Sequence, residues 1–201
     1  MRIIGVTGPS GSGKTVLTEY FSNLGVPTLD ADALYHSMLI PPSACLDAIC
    51  DAFGNDVLSP DGTLNRTALS KIVFNDPKKL KLLNKTVLDI VIKKIRELIS
   101  DLEAQGKTCV IVDAPTLIEA GFDKECDEVV VIIAPKNERI LRISERDSID
   151  VESATARVEA QKSDDFYVSA ADYVILNNKG ESEYLSQIRD LAVKLKIQLN
   201  K

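Results

Sequence analysis

The chain has 201 residues, of which 45% are hydrophobic and 27% charged, and its net charge at pH 7 is −6. That is one domain, or one core with a sizeable insertion, long enough to bury a core without disulfides or metals. The balance excludes wholesale disorder and argues against a nucleic-acid-coating protein, and no apolar run approaches the ~18 residues of a membrane span.

In chain order, residues 3–7 are a short apolar run that ends at Gly8 and suits a buried parallel strand. A Gly-rich stretch follows. Residues 14–23 then place Val16, Leu17, Tyr20 and Phe21 on one helical face, with Gly25 as the residue that ends the helix. A second short strand over 26–29 closes at Asp30-Ala31-Asp32.

From 33 to about 104 the pattern is helical. Pro41-Pro42 separates two helices, Phe53-Gly54-Asn55 ends the second, and Ser59-Pro60-Asp61-Gly62 is a turn. Asn65 and Asn75-Asp76-Pro77 are candidate caps for the next two helices. The apolar spacing predicts a long, well-buried helix over 80–102, with room for a kink.

The second half returns to alternation, with strands at 108–112, 128–133 and 173–176, charged helices over 136–165, and a closing amphipathic helix over 181–199. Strand and helix in alternation predict an α/β fold with a parallel sheet, the helical middle being an insertion after the second strand. The four cysteines, Cys45, Cys50, Cys109 and Cys126, form no C-x-x-C pair and read as reduced packing residues. The opening M-R-I-I-G-V-T-G does not read as a secretory signal, so the expected location is cytoplasmic.

Residues 8–15 read G-P-S-G-S-G-K-T and satisfy G-x-x-x-x-G-K-[S/T] between a predicted strand and a predicted helix. The loop Gly8, Pro9, Ser10, Gly11, Ser12, Gly13 lets backbone N–H groups converge on phosphate oxygens, and the helix N-terminus adds positive charge. Lys14 is placed to reach the β- and γ-phosphates of a nucleotide, and the Thr15 hydroxyl to ligate Mg²⁺.

Asp30 and Asp32 close the second predicted strand, where ligands bind in an open parallel sheet. A phosphoryl acceptor needs a positioned carboxylate for its hydroxyl proton. Either Asp can instead cap a helix, and in a helix start the two side chains diverge. Asp113 ends the third strand, a Walker-B-like position that supports Mg²⁺. Arg142 and Arg146 stand four apart on one predicted helical face and suit a lid over the phosphates, although Glu138, Glu145 and Asp147 are at hand to pair with them.

Taken in series, these residues resemble the dephospho-coenzyme A kinase family over nearly the whole chain. The elements are G-P-S-G-S-G-K-T at 8–15, D-A-D at 30–32, D-G-T-L-N-R-T-A-L at 61–69, D-A-P-T-L-I-E at 113–119, R-I-S-E-R-D at 142–147, Gln161, and A-D-Y-V-I-L-N-N at 171–178. The resemblance implies ATP-dependent phosphorylation of the ribose 3′-hydroxyl of dephospho-coenzyme A, with Mg²⁺. It implies a P-loop NTPase-type three-layer fold: a nucleotide core (1–32, 105–137, 166–201), a helical substrate-binding insertion (33–104) and a helical lid (138–165).

By the same resemblance, Lys14, Asp32 and Arg142 are catalytic, Arg142 and Arg146 bind the ATP phosphates from the lid, and Asn177 lies near the adenine. The expected partner is the small-molecule acceptor, with no nucleic acid or membrane, and the chain a monomer or weak oligomer. Three positions depart from the family pattern. Leu88-Asp89 replaces His-Pro, His36 replaces Arg, and Tyr167 replaces a basic residue, all on the acceptor or lid side. A related kinase with a nucleoside or nucleotide acceptor, and a nucleotide-binding regulator that no longer transfers phosphate, remain alternative readings.

Overall fold

A computed structural model describes residues 1–73 and 76–197. The candidate cap Asn75 and the last residues of the predicted 181–199 helix lie outside the described residues. Two compact units make up the chain, one of residues 1–29 and 105–201, the other of residues 30–104.

The first unit is built on a five-stranded sheet in the order β2-β3-β1-β4-β5. The strands are β1 (Arg2–Thr7), β2 (Thr28–Asp30), β3 (Cys109–Asp113), β4 (Glu128–Ile133) and β5 (Tyr173–Leu176). β1 is central and runs parallel to β3 and β4, and β4 runs parallel to β5. The predicted second strand begins two residues later than expected: the Val26 N–H bonds back to the Phe21 carbonyl (3.1 Å) and Pro27 has no N–H to donate, although its carbonyl already accepts from the Ile111 N–H (2.8 Å).

Side-chain alternation divides this sheet into two faces. Ile4, Val6, Ile111, Val130, Ile132 and Ile175 share one face with Leu17 and Phe21 of α1 (Lys14–Asn23) and with Tyr184, Ile188 and Leu191 of α9 (Glu181–Lys194). On the other face, Leu117 and Cys126 close over Gly5, where an added Cβ would lie 2.6 and 2.8 Å from their side chains. Two aspartates set strand starts. Asp127 accepts from the Ile3 N–H (2.6 Å) and Asp172 from the Val129 N–H (2.8 Å), each where its strand joins its neighbour. The Asp of A-D-Y-V is therefore a register pin.

Between β4 and β5 run α6 (Lys136–Asp147), α7 (Val151–Glu159) and α8 (Asp164–Val168). α6 and α7 pack through Ile143, Ala154 and Val158. Asp150 and Ser163 cap α7 and α8 with their side-chain oxygens.

The second unit is helical: α2 (Ala31–Ser37), α3 (Ala44–Phe53), α4 (Arg66–Val73) and α5 (Pro77–Ala104). Its caps follow the side-chain rule. Ser43 accepts from Cys45 and Leu46, Asn65 from Ala68, and Asp76 from Lys78 and Lys79. The predicted turn forms, with the Gly62 N–H on the Ser59 carbonyl (2.9 Å). α5 runs unbroken for 28 residues, since Leu88-Asp89 brings no proline to interrupt it. Its expected deep burial is corrected: among its described residues only Val91 and Ile95 are buried, and Leu80, Leu83, Val87 and Ile90 lie half-buried on the core of Leu39, Cys45, Ile49, Val57, Leu69 and Val73. Only one face of the long helix is covered, and Lys81, Lys85, Asp89, Lys93 and Glu97 stand exposed on the rest of it. No helix among the described residues is long and apolar enough to cross a membrane.

Candidate active site

The loop of residues 8–13 leaves the carboxyl end of the central strand and runs into α1, the position at which open parallel sheets bind ligands. Its shape is held by its carbonyls. Lys14 Nζ donates to the Gly8 carbonyl (2.9 Å) and, more weakly, to that of Pro9 (3.5 Å). Arg142 Nη1 donates to Gly11 (3.1 Å), Asn177 Nδ2 to Ser12 (2.9 Å) and the Tyr184 hydroxyl to Gly13 (2.7 Å). A carbonyl held by a side chain turns its peptide so that the N–H points the other way, into the arch. What remains for an anion is the N–H side of the loop and the positive end of α1.

Glycine is required at this arch for space as well as for conformation. Gly8 (φ +139°) would place a Cβ 2.3 Å from the Ile132 carbonyl oxygen. Gly11 (φ +79°) would place one 2.8 Å from the Arg139 carbonyl oxygen, and Gly13 (φ +103°) one 2.5 Å from Asn177 Nδ2. The loop is thus packed against β4, α6 and the end of β5 at three successive glycines.

Two of the N–H groups are used within the protein. Ser12 donates to the Pro9 carbonyl (3.2 Å) and Ser10 to Gln161 Oε1 (3.0 Å). Thr15 is exposed in the first turn of α1. Asp113 ends β3 in register with Val6 of β1, one strand from the loop.

On α6, Arg142 and Arg146 share a helix but not an environment. Arg142 is held between Gly11 and Glu138 Oε2 (2.7 Å). Arg146 pairs with Asp147 (2.8 Å), which Arg157 also meets, and these two guanidiniums hold the Asp147 carboxyl below its usual range. Asn177, assigned by resemblance to the adenine side, is 8% exposed and has its amide committed to Ser12.

Three residues of this site have no role that the sequence assigns. Arg139 is 4% exposed, with Nη1 on Asp164 (3.2 Å) and Nη2 on Gln161 (3.1 Å). Tyr184 is 2% exposed, and burial pushes its hydroxyl well above the ordinary phenol range, so it is a donor at any working pH. Gln161 stands out in sequence only as part of the family pattern. None of the three has a local signature, because each lies at least 126 positions from the loop.

In the helical unit, Asp30 and Asp32 separate. The Asp30 carboxylate accepts from the Ala33 N–H (2.9 Å) and caps α2, the helix-cap alternative that the sequence left open for it. Asp32 is exposed in the first turn of α2. His36, in the last turn, accepts from Arg66 Nη2 at Nδ1 (2.8 Å). Because arginine only donates, the proton of the neutral ring sits on Nε2.

A family model described as dephospho-CoA kinase matches residues 2–183. The chain is 35% identical over 199 residues to the dephospho-CoA kinase of Dehalococcoides mccartyi, covering 99% of this chain and 100% of that protein. Among solved structures, TT1252 from Thermus thermophilus aligns with a TM-score of 0.81 at 30% identity, covering 98% of both chains. The dephospho-CoA kinase from Campylobacter jejuni aligns with a TM-score of 0.71 at 26% identity, covering 97% of this chain and 98% of that one.

Proposed function

We propose that this chain, which belongs to the dephospho-CoA kinase family, transfers the γ-phosphoryl group of ATP to the ribose 3′-hydroxyl of dephospho-CoA, releasing CoA and ADP. The observation that carries the reading is the phosphate loop, whose carbonyls at Gly8, Gly11, Ser12 and Gly13 are each tied back by a side chain. A loop so fixed offers its N–H groups to the β- and γ-phosphates with little reorganisation on binding, which is the form of electrostatic stabilisation phosphoryl transfer needs.

Residue roles follow from chemistry. Lys14 places an ammonium on the transferring group. Arg142 and Arg146 bring guanidiniums to the same charge from α6, within a lid formed by 138–165. Asp32 orients the acceptor hydroxyl and takes its proton, and the helical residues 33–104 bind the rest of the acceptor. The Thr15 hydroxyl and the Asp113 carboxylate are the oxygen donors suited to Mg²⁺, which when bound neutralises charge on the phosphate oxygens.

The test is ATP consumption by the purified protein with Mg²⁺, offering dephospho-CoA beside a panel of nucleosides and identifying the product by mass. One added phosphate on dephospho-CoA, preferred over the panel, is the expected result. Turnover with a nucleoside alone would assign the helical unit to another acceptor.

A further inference from the structure

We infer that Gln161 is a positioning residue for the phosphate loop, joining the Ser10 N–H and the buried Arg139 guanidinium at one oxygen and so setting the arch that receives the triphosphate. The inference rests on the kinase reading above and names a further residue of the same site.

The geometry is specific. Oε1 of Gln161 accepts from Ser10 N at 3.0 Å and from Arg139 Nη2 at 3.1 Å. Two donors on one atom decide which end of the amide faces the loop, because only the carbonyl oxygen can take both. Arg139 is 4% exposed, and its Nε has no hydrogen-bond partner. A guanidinium stays charged at any working pH, and a buried charge must be paired. Its partners are therefore Asp164 and Gln161, and loss of the Gln161 oxygen leaves half of that pairing unmade.

The backbone supports the same point. The Arg139 carbonyl lies so close to Gly11 that a Cβ there would come within 2.8 Å of its oxygen. Ser10 and Gly11 are thus held between the first turn of α6 and the residue that follows the cap of α7. Ser10 lies at the crown of the loop, and its N–H is spent on Gln161 rather than offered to an anion. Gln161 therefore acts on the nucleotide through the loop, without touching it.

The experiment compares Gln161→Met, which keeps the length and removes the acceptor, with Gln161→Glu, whose carboxylate accepts both donors. ATP affinity is read by calorimetry, with Michaelis constants for ATP and dephospho-CoA and the thermal midpoint alongside. Gln161→Met is expected to bind ATP about tenfold more weakly, the scale of one lost hydrogen bond to a fixed loop. Its dephospho-CoA Michaelis constant is unchanged, and Gln161→Glu, which keeps an acceptor for both donors, retains more of the ATP affinity than Gln161→Met. Should Gln161→Met fail to fold, Gln161→Asn, one methylene too short to reach Ser10, carries the same expectation. Unchanged ATP affinity in Gln161→Met sinks this inference and leaves the kinase reading standing. So does an equal loss for both substrates with a fallen midpoint, or a Gln161→Glu protein as weak as Gln161→Met. An unaltered chain that binds no ATP overturns the kinase reading and this inference together.

Discussion

Arg142 and Gly11 are joined across 131 positions of sequence by a single bond, Nη1 to the loop carbonyl at 3.1 Å. The other nitrogen of the fork is held by Glu138 at 2.7 Å. The guanidinium is thereby kept beside the loop in a fixed orientation, its side chain still 37% exposed. Arg146, one turn on, is 61% exposed and pairs with Asp147. Arg142→Met is expected to lower the turnover number about a hundredfold, the scale of one lost donor to a developing anion. Arg146→Met should cost less than about tenfold, the scale of a peripheral charge. Steady-state kinetics of the two variants decide it, and equal losses would contradict the asymmetry of their settings.

Lys14 holds two loop carbonyls and carries the charge assigned to the transferring phosphoryl group. Lys14→Ala removes both, so phosphoryl transfer is expected to be abolished. Appreciable remaining turnover would show that Lys14 does not carry the charge that phosphoryl transfer needs and that the loop has been misread.

Asp32 stands in the first turn of α2, exposed and apart from the capping Asp30. Asp32→Asn keeps the shape and removes the base. The turnover number should fall by ~10²-fold or more, with the ATP Michaelis constant unchanged. A change confined to the ATP Michaelis constant would make Asp32 a binding residue.

Glycine requirements differ between loop and turn. Gly8→Ala adds a Cβ 2.3 Å from the Ile132 carbonyl oxygen, a backbone atom of β4 that cannot step aside. Gly62→Ala meets nothing within 4 Å and carries only the strain of φ +81°. Denaturant titrations should show a loss of about 3 kcal/mol or more for the first and about 1–2 kcal/mol for the second. Similar losses would refute the packing argument.

Burial pushes the Cys126 thiol up to about 12, with Asp123, Glu125 and Asp127 adding to the shift. Its folded value lies above the ordinary 9.0, so the stability linked to the neutral thiol is complete below pH 9.0 and is lost as pH rises towards about 12. At pH 8 the thiolate is a fraction on the order of 10⁻⁴. Alkylation followed by peptide mapping should leave Cys126 unmodified in the native protein and modified in guanidinium. Reaction at the rate of an exposed thiol would contradict the shielding that raises its pKa.

Much of this molecule is legible from the chain because the responsible interactions are local. The apolar run before Gly8, the periodicity of Lys14–Asn23, and the turn residues Ser59 to Gly62 act within a few positions and specify strand, helix and turn directly. The G-x-x-x-x-G-K-T spacing names the loop for the same reason. Asp30 shows where such reading stops. Strand end and helix cap call for the same residue type, and only the observed φ and ψ, with the bond to Ala33, decide between them.

Sequence by itself determined the α/β alternation, the helical insertion, the phosphate loop and the family, since each is written in residue type and short spacing. The tertiary structure alone decided what holds the loop. Gln161, Arg142, Asn177 and Tyr184 reach Ser10, Gly11, Ser12 and Gly13 across 131 to 171 positions. Nothing in the local chemistry of a glutamine or a tyrosine names a partner at that distance. It is the order of strands in the sheet, with β4 and β5 laid beside β1, that brings these donors and acceptors to one loop.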